Sequence, residues 1–493
     1  MIPYLIRTFR GGISDENSRG IPGSYKYGYG LDIHGRDDIL ACSSTMATIN
    51  ESTVTDLIRF FVPARDGSTY AFGATGSIYS VSGDAGDPAV NFVYNDENGD
   101  IKGAAEWQIT TGGSTTAYLV WATNSSLARA AINGSVSVPW AAGVATQDFK
   151  TVLDRADWHT MANAAGQLNI ANGNYLASLS YVDDFDPADL NIRPGNLIKC
   201  LEERDDFVIM GSTRQANAEE GHIWSWIITA TNWIQKKRIP VQGVNSLITA
   251  ELMLLQGGDD GEIFFSDFVN STPMNSIPGG GKTDPGGVSI ENDLPSFGFY
   301  GGTYPGIWNF GRRQKNRSLA LNHQYRLAKT VGGSTISTIG ALAVINGQLL
   351  ASWGTTDGST SDYGIDAVST TTRANALYEG LEFDAGTPHL KKMFDTVKLT
   401  LSPLASGTSV SVKYRLDNAT TGGDSSAGEG WKYAIIGDGS TTFSQTSAVE
   451  AIFSIGNVAN IYEVGLELNA SGSSTPEVHS ITTYLSSEAF DYA

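Results

Sequence analysis

Residues near the middle of the sequence have the types that could hold a phosphate. The stretch "PGGGKTDPGG" (residues 278–287) contains Gly-Lys-Thr, the triplet with which nucleotide-binding P-loops end. A P-loop also needs a glycine five positions before Gly281, and Ser276 stands there. Its lysine must open a helix that faces the phosphate, whereas Asp-Pro-Gly-Gly follows here. We therefore predict a glycine-rich surface loop, which reaches a neighbouring subunit or moves, and no nucleotide site.

A second stretch, "NDENGD", has the alternating carboxylate and amide oxygens of a calcium loop. Asp96, Asn98 and Asp100 stand at alternate positions. However, Ile101 occupies the place of the required glycine, and Trp107 stands where the loop needs its glutamate. The pattern therefore favours a solvated hairpin tip without a metal ion.

Carboxylate pairs could hydrolyse glycosidic bonds, but the acidic clusters of this chain all lie in turn-like contexts. The clusters are Asp183-Asp184-Asp186, Glu202-Glu203-Asp205-Asp206 and Asp259-Asp260-Glu262. The Ser-x-Asp-x-Gly-x-Thr-Trp box of sialidases is absent. Six histidines are scattered without metal-ligand spacing, at His34, His159, His222, His323, His389 and His479. We predict no enzyme, and no catalytic, cofactor-binding or metal-ligating residue.

Composition and charge limit the classes of function. The chain has 493 residues, a formal net charge of −20 and only 17% charged residues. A phosphate backbone would be repelled, so specific nucleic-acid binding is disfavoured. Two cysteines, Cys42 and Cys200, are too few for a disulfide scaffold, and we expect them to be buried free thiols.

The sequence shows no targeting segment and no membrane span. The apolar patch before Arg7 is too short for a signal peptide. No apolar run approaches the length of about 18 residues that would cross a bilayer. We expect a soluble chain that is synthesised in a cytoplasm.

Strand patterns dominate the sequence, which predicts an all-β fold. Residues 55–83 hold short β-branched and aromatic runs between Asp-Gly and Thr-Gly turns, and residues 406–418 alternate apolar and polar side chains. Amphipathic helix patterns are scarce, and residues 151–165 are the best candidate.

A hairpin unit recurs every 40 to 55 residues or so, which is typical of β-propeller blades. Each copy carries a key aliphatic residue, and several copies follow it with an aromatic residue that could fill the wedge between blades. The key aliphatic residues are Ile78, Leu127, Leu168, Ile223, Ile263, Ile307 and Leu349. We predict a propeller of six or seven blades, since the third and sixth copies are weak; an irregular series of β-sandwiches is the alternative.

The pattern of apolar and polar residues changes near residue 370. At least six strands without blade spacing follow in about 100 residues, which is typical of a β-sandwich or jelly roll. We predict an N-terminal arm (1–40) that closes the propeller or docks on a neighbour, a propeller (41–370), a connector (371–388) and a C-terminal sandwich (389–493).

Two stretches, one near each end of the chain, carry recognisable motifs. Residues 9–40, "FRGGISDENSRGIPGSYKYGYGLDIHGRDDIL", contain aromatic-x-Gly-Gly and a later Gly-Ser-aromatic-x-Tyr-Gly segment, and they resemble the openings of tail structural proteins of tailed bacteriophages. Residues 394–434, which contain Gly407-Thr408-Ser409 and Trp431, are similar to sandwich modules that follow propellers in such proteins. The propeller segment resembles these proteins only in a general way, without a shared motif.

The resemblance implies a structural protein of the virion tail, in a nozzle, hub or tip. Its expected partners are copies of itself in a symmetric ring, neighbouring tail proteins and DNA that passes an acidic lumen without binding. A sugar-binding adhesin for host surface glycan is the second interpretation, which aromatic residues clustered on one face of 389–488 would support. A glycan-active enzyme is the third, for which two facing carboxylates in a central pocket would be the sign.

Overall fold

Strands account for nearly all the regular structure of this protein. The structure, a computed structural model, describes residues 2–36, 38–49, 53–83, 88–132, 139–151, 153–154, 156–164, 166–204, 206–214, 220–315, 317–331, 333, 335–357 and 360–486. Within these ranges it contains 39 strands and one helix of four residues. None of the described residues form a helix with the length and apolar character that a membrane crossing requires.

The strands are numbered here in chain order. The first sixteen are β1 (Ile2–Ile6), β2 (Gly12–Ile13), β3 (Ser24–Tyr29), β4 (Ser44–Ile49), β5 (Ile58–Pro63), β6 (Thr69–Gly73), β7 (Ser77–Ser82), β8 (Ala89–Asn95), β9 (Gly103–Thr111), β10 (Ser114–Ala122), β11 (Leu127–Ala131), β12 (Ala145–Lys150), β13 (Met161–Ala164), β14 (Gln167–Asn172), β15 (Tyr175–Ser180) and β16 (Phe185–Asn191). The next twelve are β17 (Asn196–Arg204), β18 (Phe207–Arg214), β19 (Gly221–Ile227), β20 (Gln235–Ile239), β21 (Val244–Thr249), β22 (Met253–Gly257), β23 (Glu262–Ser266), β24 (Ser271–Ser276), β25 (Val288–Glu291), β26 (Leu294–Phe299), β27 (Gly306–Gly311) and β28 (Ala320–Tyr325). After the helix α1 (Ala328–Val331) come β29 (Ile336–Ile345), β30 (Gln348–Asp357), β31 (Thr360–Arg373), β32 (Ala376–Gly380), β33 (Lys392–Leu401), β34 (Ser409–Leu416), β35 (Lys432–Tyr433), β36 (Thr442–Phe443), β37 (Glu450–Ala459), β38 (Tyr462–Asn469) and β39 (Val478–Ser486).

The chain divides into two compact units. One, called the propeller unit here, comprises Met46–Gly306 and Leu327–Val368. The other, called the terminal unit, comprises Met1–Thr45, Ile307–Arg326 and Ser369–Ala493.

Seven four-stranded antiparallel sheets form the blades of a β-propeller. Their strand orders are β5-β6-β7-β8, β12-β11-β10-β9, β13-β14-β15-β16, β17-β18-β19-β20, β21-β22-β23-β24, β25-β26-β27-β28 and β29-β30-β31-β4. The inner strands of the blades are β5, β9, β13, β17, β21, β25 and β29. Each inner strand is a neighbour of the next, and β29 is a neighbour of β5, so the inner strands close a ring. The prediction of an all-β fold with a β-propeller is confirmed, with seven blades rather than six.

Burial explains why the blades look apolar in the sequence. Strands such as β6, β14, β22 and β26 are buried at every residue, because both faces of a blade are covered by its neighbours. Outer strands such as β8 and β16 keep exposed residues. Between the first two blades the ring centroids of Trp121 and Phe72 lie 6.1 Å apart. Trp224, which follows the key aliphatic Ile223, packs in one cluster with Leu176 of the third blade, so this aromatic residue fills the wedge between blades as predicted.

The sequence repeat was aligned correctly in five blades. Every key aliphatic residue is fully buried. Five lie on the third strand of a blade, but Leu168 lies on β14 and Leu349 on β30, which are second strands. The predicted helix at residues 151–165 is wrong. Its described residues are irregular and then form β13, because an inner strand is needed there to complete the ring.

Two sheets build a β-sandwich in the terminal unit. One has the order β1-β39-β33-β37, and the other runs β2-β3-β32-β38-β34-β35, with β36 beside β34. Phe394 on the first sheet stacks on Tyr462 of the second, with ring centroids 4.6 Å apart. The sandwich therefore includes strands from the segment predicted as an arm, and β32 from the segment predicted as a connector. The pairing covers the edge that β39 would otherwise present and the edge of β32 that faces β3, and open strand edges are a liability for a sheet.

Candidate functional site

A cavity of about 280 Å³ opens in the propeller unit where the inner strands of the third, fourth and fifth blades begin. Its wall consists of polar and apolar side chains from linkers, inner strands and hairpin turns. The lining residues are Ala156, Asp157, Trp158, Leu197, Ile198, Lys199, Thr213, Gln242, Asn245, Asp259 and Lys282.

The topology of the blades brings these residues to one end of the propeller. Trp158, Gln242 and Lys282 belong to linkers that lead to the inner strands β13, β21 and β25. Thr213 and Asp259 lie near the turns between the second and third strands of their blades. Because adjacent strands are antiparallel, those turns and the linkers lie at the same end of each blade.

Lys199 is the cationic group that is most enclosed in this wall. It lies on β17, and its Nζ donates a hydrogen bond of 2.7 Å to Oδ1 of Asn245 on the next inner strand. Burial lowers the pKa of Lys199 below its usual value, and the negative charge of Asp284 opposes that effect. The ammonium group has three N–H donors, so two remain for other partners.

Lys282 supplies a second ammonium group, which is more exposed than Lys199. Its Nζ lies 3.5 Å from Oδ1 of Asp259 and 5.9 Å from the ring centre of Tyr300. The Tyr300 hydroxyl donates a 2.7 Å hydrogen bond to Asp284, whose pKa burial raises. Charged side chains of both signs therefore surround the mouth of the cavity.

Trp158 forms the aromatic part of the wall. The guanidinium carbon of Arg59 lies 5.1 Å over its ring, and Phe60 meets it edge-on at 6.0 Å. Arg59 also donates a hydrogen bond of 3.3 Å to the carbonyl of Ile101. These contacts hold the indole ring in place while part of it faces the cavity.

The glycine-rich stretch links the fifth and sixth blades. It is exposed at Gly279 but buried at Thr283 and Asp284, so the prediction of a surface loop holds only for its first part. Thr283 is fully buried, and its hydroxyl lies 2.6 Å from that of Ser246. Gly279, Gly280 and Gly281 all have positive φ, and a Cβ on Gly286 would lie 2.0 Å from the carbonyl oxygen of Arg59. Tight turns and close backbone approach therefore require these glycines. A strand follows at β25, and no helix faces Lys282 there.

The calcium-like stretch has a structural role. Asp96 is 1% exposed and accepts hydrogen bonds from Nε1 of Trp121 at 2.6 Å and from the backbone N–H of Asn98 at 2.8 Å. It is therefore a buried acceptor in the wedge between the first two blades, which corrects the prediction of a solvated tip at this residue. Within the described ranges, no group of three or more histidine, cysteine, aspartate and glutamate side chains is arranged to hold a metal ion.

The three acidic clusters lie in different places. Asp183 pairs with Lys150 at 3.2 Å, and Asp259 lines the cavity. Glu202 lies on the inner strand β17 and accepts a hydrogen bond of 2.9 Å from the backbone N–H of Thr249 on β21. Asp205 lies outside the described residues.

Replacing Glu202 by glutamine tests the effect of this burial. Burial raises the pKa of Glu202 from 4.5 to about 7 in the folded protein. The folded state then binds a proton that the unfolded state has lost, so this group's contribution to stability is lost as pH rises from about 4.5 to 7. Between pH 4.5 and 7 we expect the free energy of unfolding of the variant to rise by about 2 kcal/mol relative to that of the wild type. This is less than the free energy that corresponds to the full pKa shift, because the carboxyl group keeps some contact with solvent.

Urea unfolding at several pH values measures this difference. The wild type, measured under the same conditions, is the reference, because the charge of the neighbouring Glu203 also raises the pKa of Glu202 and makes that residue unsuitable as a control. Identical pH profiles for the variant and the wild type would contradict the role of burial at Glu202.

Three of the six histidines and both cysteines are core residues. His159, His222 and His323 are buried, and burial lowers the pKa of His222 to about 4. His323 stacks on Trp308, with ring centroids 4.5 Å apart. The two cysteines are free and buried, as expected, and burial raises the pKa of both thiols.

The aromatic residues of the sandwich do not form an exposed cluster in the described part of 389–488. Six are buried, namely Phe394, Tyr414, Trp431, Phe443, Phe453 and Tyr462. Tyr433 and Tyr484 are half-buried. Trp431 is covered by Lys413 and Arg415, at 4.5 Å and 4.9 Å from its ring centre. Among the side chains described, the sign proposed above for sugar binding on this surface is therefore not found.

Comparisons with known proteins bear on the fold alone. No protein-family model matches the sequence, and no curated protein matches it significantly. The WD40 β-propeller domain of Doa1 is similar at 11% identity, over 66% of this chain and 96% of that chain, with a TM-score of 0.42. The WD40 repeats of RRP9 are similar at 14% identity, over 67% and 99%, with a TM-score of 0.44. The extracellular domain of BT4673 from B. thetaiotaomicron is similar at 13% identity and a TM-score of 0.42, over 74% of this chain but only 44% of that chain.

Proposed function

We propose that this protein is a structural, non-enzymatic subunit of a bacteriophage virion tail, in the nozzle, hub or tip. One observation supports the proposal more than any other. The two stretches that resemble tail proteins, residues 9–40 and 394–434, contribute strands to the same seven-stranded sheet of the terminal unit. The likeness at the two chain ends therefore concerns a single structural module.

Strand pairing joins the two ends closely. Tyr25 on β3 pairs with Gly380 on β32, and β32 pairs in turn with β38, which pairs with β34. Tyr25 is fully buried, and its hydroxyl donates a hydrogen bond of 2.8 Å to Asn322 in the same unit. In a module assembled in this way, no strand from either end can leave without exposing part of the core.

The composition suits a repeated part of an assembly. We expect copies of the chain to form a symmetric ring and to contact neighbouring tail proteins. The net charge of −20 would let DNA pass a lumen lined by this protein without sticking, since like charges repel. The chain would be made in the host cytoplasm and reside in the virion.

Protein analysis of purified particles tests the proposal. Particles from a lysate of the source culture are separated on a density gradient and analysed by mass spectrometry. We expect the chain in the particle fraction, in a constant ratio to other tail proteins across independent preparations. Its recovery only in the particle-free fractions would contradict the proposal.

A further inference from the structure

We propose that the cavity lined by Trp158, Lys199 and Asn245 binds a hexuronic acid, a six-carbon sugar that carries one carboxylate. This inference goes beyond the structural role proposed above and does not depend on it. The carboxylate would bind the ammonium group of Lys199, and the sugar ring would lie against Trp158.

Lys199 is largely enclosed and has no hydrogen-bonded carboxylate partner among the described residues. The hydrogen-bond partner of its ammonium group is the neutral amide of Asn245, at 2.7 Å, while the charge of Asp284 acts on it without a hydrogen bond. Burying an ammonium group is costly unless it is paired with an anion. A carboxylate in the cavity would accept the remaining N–H donors and compensate that cost.

The charges around the cavity are of both signs. Lys199 and Lys282 contribute two positive charges, and Asp157 and Asp259 contribute two negative ones. The buried Asp284, which does not line the cavity, adds a further negative charge that acts on both lysines. A ligand with several negative charges, such as a nucleotide triphosphate, would be repelled by the two carboxylates. A ligand with a single carboxylate can approach Lys199 while its hydroxyl groups donate hydrogen bonds to the aspartates.

The size and lining of the cavity suit a small sugar. Its volume of about 280 Å³ lies just below the usual range of ligand pockets, roughly 300–1,000 Å³, which suits a single sugar ring. Gln242, Asn245 and Thr213 offer the amide and hydroxyl groups that bind sugar hydroxyls. The indole ring of Trp158 offers an apolar surface for the C–H face of the ring.

Isothermal titration calorimetry with the full chain tests this proposal. The probes are D-glucuronate, neutral D-glucose and acetate, and the variants are Lys199→Met and Trp158→Ala. We expect D-glucuronate to bind the wild type at least tenfold more tightly than glucose or acetate. We expect each variant to weaken D-glucuronate binding at least tenfold, through loss of the carboxylate partner in one case and of the ring contact in the other.

Lys236→Met is the matched control, because Lys236 lies on β20 in the same blade and packs over Trp224 rather than in the cavity. We expect it to bind like the wild type. Removing the charge of Lys199 should leave the fold intact, because an isolated buried charge opposes folding. Trp158→Ala tests the site independently of that charge. An oligosaccharide that ends in glucuronate shows whether the site takes a free sugar or the end of a polysaccharide; binding of either supports the proposal.

Three results would overturn the proposal. The first is that the wild type binds neither D-glucuronate nor the oligosaccharide. The second is that it binds glucose or acetate as tightly as D-glucuronate. The third is that both cavity variants bind D-glucuronate as tightly as the wild type does. All of these measurements are independent of where the protein resides, so they can fail while the virion role holds.

Discussion

Replacing Asp366 by alanine is expected to lower the free energy of unfolding of the propeller unit by about 4 kcal/mol. Asp366 is fully buried on β31 and accepts three hydrogen bonds. The donors are Nε1 of Trp353 at 2.7 Å, the hydroxyl of Thr48 at 2.8 Å and the backbone N–H of Ala328 at 2.6 Å. Alanine would remove the acceptor of the buried Trp353 N–H and of two partly buried donors, on Thr48 and Ala328.

Asp366 joins the outer strand of the last blade to the rest of that blade. Thr48 lies on β4, the outer strand of the last blade, and this strand precedes the first blade in the chain. The carboxylate therefore helps to hold together a blade that is built from two distant segments. Loss of the hydrogen bond from Thr48 is expected to loosen β4 from this blade, while the inner strands keep the contacts that close the ring.

Urea unfolding followed by tryptophan fluorescence measures the change. Asp362→Ala is the matched control on the same strand, since Asp362 is 47% exposed and pairs with Lys329 at 3.1 Å. We expect that control to cost less than about 1 kcal/mol, as exposed ion pairs do. Equal losses for the two variants would contradict the importance of the buried acceptor.

The second large effect is expected at Glu463, in the terminal unit. Glu463→Gln should lower the free energy of unfolding of that unit by about 3 kcal/mol. The Glu463 carboxylate is 1% exposed and accepts hydrogen bonds of 2.8 Å from Nη2 of Arg415 and from Nζ of Lys26. Glutamine keeps the shape but removes the charge, which leaves two partly buried cations facing a neutral group.

Lys26 belongs to β3, so this cluster also fastens the N-terminal segment to the sandwich. We expect Glu463→Gln to increase hydrogen exchange in β3 and β32, as measured by mass spectrometry. Glu450→Gln is the control, because Glu450 is 51% exposed and pairs with Lys398 on the sandwich surface. Unchanged exchange in β3 after loss of the buried charge would contradict this account.

The propeller could be predicted from the sequence because its blades repeat the same local chemistry. A hairpin with a buried aliphatic residue recurs in each blade, and Ile78 and Ile263 occupy equivalent third strands. The register was wrong at Leu168 and Leu349, since the second and third strands of a blade are both apolar and look alike in a single sequence.

The pairing of the chain ends could not be predicted in the same way. β1 pairs with β39, which lies almost the whole length of the sequence away. The residues of β1, "IPYLI", do not indicate which strand is its partner. Strand patterns indicate that a segment pairs, but long-range contacts decide with what. The same limit concealed that β4 completes the last blade.

The cavity was missed because its residues come from six separate segments of the chain. One local signal was present: Lys199 interrupts the apolar run of "NLIKCLEER" on an inner strand, where a charged side chain is unusual. The glycine-rich stretch drew attention to Lys282 for another reason. Its glycines are required by turns and by close packing, and its lysine lies at the mouth of the cavity.

Immunogold electron microscopy tests the central claim of a virion role most directly. An antibody to this chain is applied to particles from a lysate of the source culture. We predict gold at the tail end of the particles, and none on particles treated with pre-immune serum. Gold on cell surfaces or free in the medium, with bare particles, would contradict the assignment of this protein to a virion tail.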